Sequence, residues 1–208
     1  MNVLLVNGSP REKGCTYTAL REVAAALDKE GVETEIFWIG NKPIGGCIGC
    51  GGCRKSGTGR CVFGGAVNEF LDKAGDVDGF VFGSPVHYAG AAGNMTSFMD
   101  RVFYAGQSQF RLKPAAAVLS ARRGGLTASW DQMNKYFGIA QMPIVTSQYW
   151  NGVHGNTPEE VMQDAEGLQT MRTLGKNMAW LLKNLAAGKA AGVPLPETEP
   201  RQRTNFIR

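Results

Sequence analysis

Four consecutive apolar residues, Val3–Leu4–Leu5–Val6, end abruptly at Asn7–Gly8–Ser9–Pro10–Arg11, and a helical pattern begins past Thr16. An unbroken apolar run of that length reads as a strand covered on both faces. The turn after it is crowded with hydroxyls, one Arg and backbone N–H groups at the start of a helix. Those N–H groups and the positive end of the helix dipole point at one spot, which makes the turn an anion site. It has neither the GxGxxG of dinucleotide folds nor the GxxxxGK[ST] of nucleotide triphosphatases. A Ser/Thr/Arg turn of this kind suits a terminal phosphate, as in a mononucleotide.

The same alternation recurs along the chain. A strand over 2–7 is followed by a helix over 16–29, with Leu20, Val23, Ala24 and Leu27 on one face and Gly31 closing it. A second strand covers 32–39. Residues 41–63 are rich in Gly and Cys, show no periodicity, and read as a long functional loop. A short helix spans 64–75. GFVFGSP (79–85) is a third buried strand ending in a Gly-Ser-Pro turn, followed by a helix over 93–104. AAAVLS (115–120) is a fourth strand. A Gly-Gly turn at 124–125 leads into a helix through Phe137, and PIVTSQ (143–148) is a fifth strand. A long amphipathic helix runs from Glu159 to Leu185, striped by Leu168, Met171, Leu174, Met178 and Leu181. The fold class is therefore α/β, a flavodoxin-like, doubly wound, five-stranded parallel sheet with helices on both faces. Ligands of such sheets sit at the carboxyl ends of the strands. The chain divides into one domain over 1–187 and an extended, basic, Pro-containing tail over 188–208.

Composition narrows the class. With 208 residues, 43% apolar and 19% charged, the chain is an ordinary globular protein with one sizeable core. Its net charge of +4 comes from scattered Lys and Arg, so no nucleic-acid partner is expected. No apolar run approaches about 18 residues, so no membrane span is expected. The chain enters its first strand without a signal-peptide pattern, which points to the cytoplasm and to reduced thiols. Its five cysteines then argue for metal or redox chemistry over a disulfide framework.

NGSPREKGCT, GSPVHYAGAAGNMTSFMDR and SARRGG together resemble the NADPH-dependent FMN reductases and the iron–sulfur flavoproteins of the flavodoxin-like superfamily. The likeness extends over nearly the whole chain. It implies an FMN-binding domain in which Ser9, Arg11, Cys15 and Thr16 hold the FMN phosphate. Cys15 is a departure, since the family often has Asn or Ser there. Ser84, Pro85, Val86, His87, Tyr88, Ala89 and Gly90 would line the isoalloxazine ring, with His87 where relatives commonly have Tyr. Ser120, Arg122, Arg123, Gly124 and Gly125 would border the same ring. A cation there would favour an anionic reduced flavin or grip the NADPH 2′-phosphate. No catalytic residue is singled out. Asn94 reads as a helix cap and Glu159 and Glu160 as helix-start carboxylates. His154 lies in a loop on the flavin side.

Cys47, Cys50, Cys53 and Cys61 are spaced C-x2-C-x2-C-x7-C. Three thiolates in a tight Gly-rich loop with a fourth nearby suit one 4Fe–4S cube, and the spacing resembles the compact motif of the iron–sulfur flavoproteins. Zinc and free or redox-active thiols are the other occupancies this set admits. The expected activity is FMN-dependent oxidoreduction from NAD(P)H to a quinone, a nitro or azo compound, another small acceptor or a redox protein, with the cluster as a relay. The rival is an electron carrier or thiol sensor with no NAD(P)H turnover of its own. The resemblance also implies a homo-oligomer, dimer or tetramer.

Overall fold

The computed structural model describes residues 1–200, 202–204 and 206. Its strands are β1 (Asn2–Asn7), β2 (Glu33–Trp38), β3 (Gly79–His87), β4 (Gly90–Ala91), β5 (Ala115–Ala121) and β6 (Gly152–His154). Five of them lie parallel in the order β2-β1-β3-β5-β6, and β4 pairs antiparallel with the end of β3. The helices are α1 (Cys15–Lys29), α2 (Gly52–Lys55), α3 (Ala66–Ala74), α4 (Gly93–Gly106), α5 (Leu126–Ile139), α6 (Pro158–Val161) and α7 (Ala165–Ala190). This is the doubly wound sheet read from the alternating pattern.

Strand alternation sorts the core into two layers. Leu4, Val6, Phe80 and Phe82 point to one face, where they pack with Phe70, Phe98, Phe103, Phe110 and Phe137 from the α3, α4 and α5 side. Val3, Leu5, Val81 and Val118 point to the other, against aliphatic and Met side chains of α1 and α7. The aromatic layer is continuous: Phe70 lies 5.3 Å from Phe98 and 5.9 Å from Phe82, centroid to centroid. In the aliphatic layer α1 and α7 approach closely. A Cβ on Gly175 would stand 2.7 Å from Ala26 Cβ and 2.9 Å from the Val23 carbonyl oxygen, which cannot yield without moving α1. Gly175→Val is expected to cost about 3 kcal/mol through overpacking. A lowered urea midpoint with an unchanged slope checks it.

Four elements depart from the sequence reading. The fifth strand is not 143–148. Only its start pairs, through Ala115 N–H to the Pro143 carbonyl at 2.9 Å and Val145 N–H to the Ala115 carbonyl at 2.8 Å. The run turns polar at Thr146–Ser147–Gln148, leaves the sheet, and returns as β6. Buried Asn151 braces the excursion: its Oδ1 accepts from the Ser147 hydroxyl at 2.7 Å, and its backbone carbonyl accepts from Leu119 N–H at 3.0 Å.

The long final helix is two helices. Asp164 starts α7 by accepting from Gly167 N–H at 2.9 Å, and Thr157 caps α6. α7 then continues to Ala190, past the boundary drawn at 187. β3 runs on through His87 into a hairpin with β4, and the 41–63 loop contains the single turn α2.

Candidate functional site

β1, β3 and β5 are neighbours in the sheet, and their carboxyl ends are level: Asn7 pairs with Gly83, and Pro85 with Ser120. The three turns read from the sequence therefore leave one edge side by side. The chain winds outward from β1 to β2 on one side and through β3, β5 and β6 on the other. The crevice at β1/β3 is thus the switch point where doubly wound sheets bind ligands.

The first turn is braced from inside. Buried Asn7 donates from Nδ2 to the Glu12 carbonyl at 2.8 Å, and its Oδ1 accepts from Ser9 N–H at 3.1 Å. Ser9 Oγ accepts from Arg11 N–H at 3.1 Å, and the Ser9 carbonyl accepts from Trp38 Nε1 at 2.7 Å. A Cβ on Gly14 would lie 3.1 Å from Arg11 Cβ and 3.6 Å from Ser9 Oγ, so the turn is tight at this point. The start of α1 carries no side-chain cap and no acid in its first turn. Its positive end faces the turn uncompensated, beside exposed Arg11.

Thr16 and Ser120 are buried, and their hydroxyls bond to each other at 2.8 Å, tying α1 to the end of β5. Cys15 Sγ faces the Gly155 carbonyl at 3.7 Å. Burial pushes the Cys15 thiol above its ordinary value. In cofactor-free protein at about pH 8, iodoacetamide is expected to label exposed Cys47 and Cys50 roughly ten times faster than Cys15. Peptide mass mapping reads the rates, and equal rates would count against this placement.

The second turn is a hairpin. Ser84 is buried and accepts from Ala92 N–H at 3.0 Å while donating to the Pro85 carbonyl at 2.9 Å. Pro85, Val86 and Gly90 are half-buried, and His87, Tyr88 and Ala89 are exposed. Tyr88 and Ala89 form the tip with φ of 49° and 60°, a left-handed pair that usually falls to Asn-Gly. Such strain is characteristic of ligand-binding turns.

The third turn presents Arg122, Arg123 and Gly124 exposed and Gly125 half-buried beneath the hairpin. Beside it lies a cavity of about 260 Å³ lined by Arg123, Gly125, Tyr149, Trp150, His154 and Thr170. Asp164 holds His154 there, accepting from its backbone N–H at 2.6 Å with Nδ1 3.7 Å away. Glu160 accepts from Asn156 N–H at 2.6 Å, the structural role read for that pair of carboxylates.

The four cysteines Cys47, Cys50, Cys53 and Cys61 line one recess with Ile48, Val62, Phe63, Arg101 and Tyr104. Among the described residues, no group of three or more His, Cys, Asp or Glu is placed to hold a single metal ion. Asn94 is not the cap of α4. Its Oδ1 accepts from Ile44 N–H at 3.1 Å and its Nδ2 donates to the Lys42 carbonyl at 3.0 Å, so it anchors the cysteine loop. Asn68 clasps Cys61 by both backbone groups, at 2.8 and 2.9 Å. The bracing residues Asn7, Trp38, Asn68 and Arg101 were not readable as site residues. Asn7, opening a turn, carried the one local signal, that of an Asx turn.

The fold agrees with comparisons to known proteins. A family model described as NADPH-dependent FMN reductase matches residues 1–157. An iron–sulfur flavoprotein of Methanocaldococcus jannaschii is 34% identical over 191 residues, covering 88% of this chain and 98% of the relative. One from Archaeoglobus fulgidus is 30% identical over 192 residues, covering 86% and 94%. Among solved structures, RosB with a bound 8-demethyl-8-formylriboflavin-5′-phosphate intermediate superposes with a TM-score of 0.69 at 14% identity, covering 100% of this chain and 92% of that one. A flavodoxin from the domain Archaea gives 0.61 at 15% identity, covering 88% and 99%. At those identities the two structures speak for the fold alone. No helix among the described residues is long and apolar enough to cross a membrane.

Proposed function

This chain belongs to the NADPH-dependent FMN reductase family, and from that premise we propose an FMN-dependent oxidoreductase that draws electrons from NAD(P)H and passes them to a small acceptor or a redox protein. The carrying observation is the convergence of three turns on the carboxyl ends of β1, β3 and β5. The residues present fit FMN. The Gly14 cradle and the uncompensated start of α1, with Ser9 and Arg11, suit its phosphate. Pro85, Val86, His87, Tyr88 and Gly125 offer a wall for a flat heterocycle, with backbone groups at its polar edge. Arg122 and Arg123 supply cations at the ring border or for a nicotinamide nucleotide's phosphate. The neighbouring cavity, with Tyr149, Trp150 and His154, leaves room for a planar donor or acceptor.

The donor set of the 41–63 loop fits a 4Fe–4S cluster: four cysteines face one recess that also holds a buried arginine. FMN held by the three turns would supply hydride or single-electron exchange, and a cluster held by Cys47, Cys50, Cys53 and Cys61 would supply single-electron transfer. The protein binds and orients both groups. Exposed Tyr88, Tyr149 and Trp150 at this edge support a homo-oligomer in which a neighbour covers the site.

The visible spectrum of anaerobically purified protein, with iron, labile sulfide and NAD(P)H–quinone turnover measured on the same sample, tests this reading. Flavin bands, about four irons per chain and steady-state turnover are expected. Flavin and iron without turnover would make the protein an electron carrier. A colourless protein that takes up no added FMN would overturn the reading.

A further inference from the structure

Arg101, on α4, is a buried cation, 8% exposed, and none of the ion pairs among the described residues includes it. The carboxylate of adjacent Asp100 accepts instead from the Tyr136 hydroxyl. All three guanidinium nitrogens point toward the cysteine loop. Nε donates to Cys61 Sγ at 3.2 Å, Nη2 to the Gly64 carbonyl at 3.0 Å and Nη1 to the Gly45 carbonyl at 3.5 Å. The Phe63 ring lies beneath Cζ at 5.7 Å. A buried cation without a counter-charge is costly, so a recess that keeps one is suited to an anionic occupant. The two carbonyl anchors fix the planar fork so that Nε, and no other donor, faces the sulfur. A lysine ammonium has no such fork.

We propose that Arg101 is a positioning residue that sets the reduction potential of the cluster held by Cys47, Cys50, Cys53 and Cys61; this rests on the cluster reading above. A hydrogen bond to a ligand sulfur and a buried positive charge both favour the more negative, reduced state of an iron–sulfur centre. Asn68 holds Cys61 by its backbone and so keeps the sulfur in reach of Nε.

The full chain, purified and reconstituted anaerobically, is titrated with dithionite and followed by electron paramagnetic resonance for the cluster and by absorbance for the flavin. Arg101→Gln is expected to lower the cluster's reduction equilibrium roughly tenfold or more, about 59 mV for one electron. Arg101→Lys keeps the charge and loses the fork, so its potential should fall between the two. The flavin potential should not move, which a general disturbance of the fold would not spare. A loaded Arg101→Gln protein with the wild-type cluster potential, or one whose flavin shifts equally, overturns the assignment. Should Arg101→Gln fail to hold its cluster, Arg101→Lys decides: a lowered potential supports the assignment and a wild-type value overturns it. Wild-type protein that takes up no iron and sulfide overturns the cluster reading, and the role of Arg101 with it.

Discussion

Gly125→Ala is expected to weaken FMN binding about 100-fold, close to 3 kcal/mol, and to lower stability by about 2 kcal/mol. Two independent costs meet at this position. Its φ of +94° is one that residues with a Cβ rarely adopt. The new Cβ would also stand 2.6 Å from Ala89 Cα and 2.8 Å from Val86 Cγ1. The first of these is backbone, in a hairpin whose tip residues already hold positive φ, so it cannot retreat without unwinding. The third turn would then push the second off the edge it shares with the first, and the ring wall would open. Gly138→Ala, on α5 away from the three turns, is the control, since nothing lies within 4 Å of a Cβ there. Flavin fluorescence quenching on apoprotein, with urea unfolding of both variants, reads the two effects. Wild-type FMN affinity in Gly125→Ala would show that the two turns do not form one site.

The architecture was legible because β1, β2, β3 and β5 each carry a local signal. VLLV, GFVF and AAAV are apolar without a break, which a strand covered on both faces requires, and each is followed by small or polar residues that must lie at the carboxyl edge. The reading failed where a local pattern was overruled by distant partners. PIVTSQ looked like a strand, but only Pro143 to Val145 find hydrogen bonds on β5, and the chain re-enters the sheet at Gly152. The helical stripe from Leu168 onward is genuine, yet periodicity is blind to the restart at Asp164, which depends on that side chain reaching Gly167 and His154.

The site was legible in its turns and opaque in its supports. Ser9, Arg11 and the glycines announce themselves as a phosphate turn. Trp38 reaches the Ser9 carbonyl from another strand, and Arg101 reaches Cys61 from a helix 40 residues away. Neither has a neighbour in sequence that betrays its role. Thr16 and Ser120 illustrate the converse: both stand in the right turns, but their hydroxyls bond to each other inside the scaffold.

Single replacements Cys47→Ser, Cys50→Ser, Cys53→Ser and Cys61→Ser are each expected to take bound iron from about four per chain to below one while the flavin bands persist. The separation follows from the fold. The turns proposed for the flavin spring from β1, β3 and β5, whereas the cysteines belong to the 41–63 loop, anchored by Asn94 and Asn68 on α4 and α3. A serine oxygen is a poor substitute for a soft thiolate toward iron. Cys61 is distinct within the set, because its sulfur also accepts from Arg101 Nε; a serine hydroxyl there still accepts, and the Gly45 and Gly64 carbonyls keep the guanidinium in place. Cys61→Ser should therefore lose iron with little loss of thermal stability, as should the variants at exposed Cys47 and Cys50. Cys15→Ala, whose thiol lies against the Gly155 carbonyl in the other half of the molecule, should keep its iron. Iron and sulfide assays on the anaerobically reconstituted proteins, beside their melting curves, decide the matter. Full iron in any one of the four serine variants would remove that cysteine from the ligand set, and full iron in two would leave the recess without a cube.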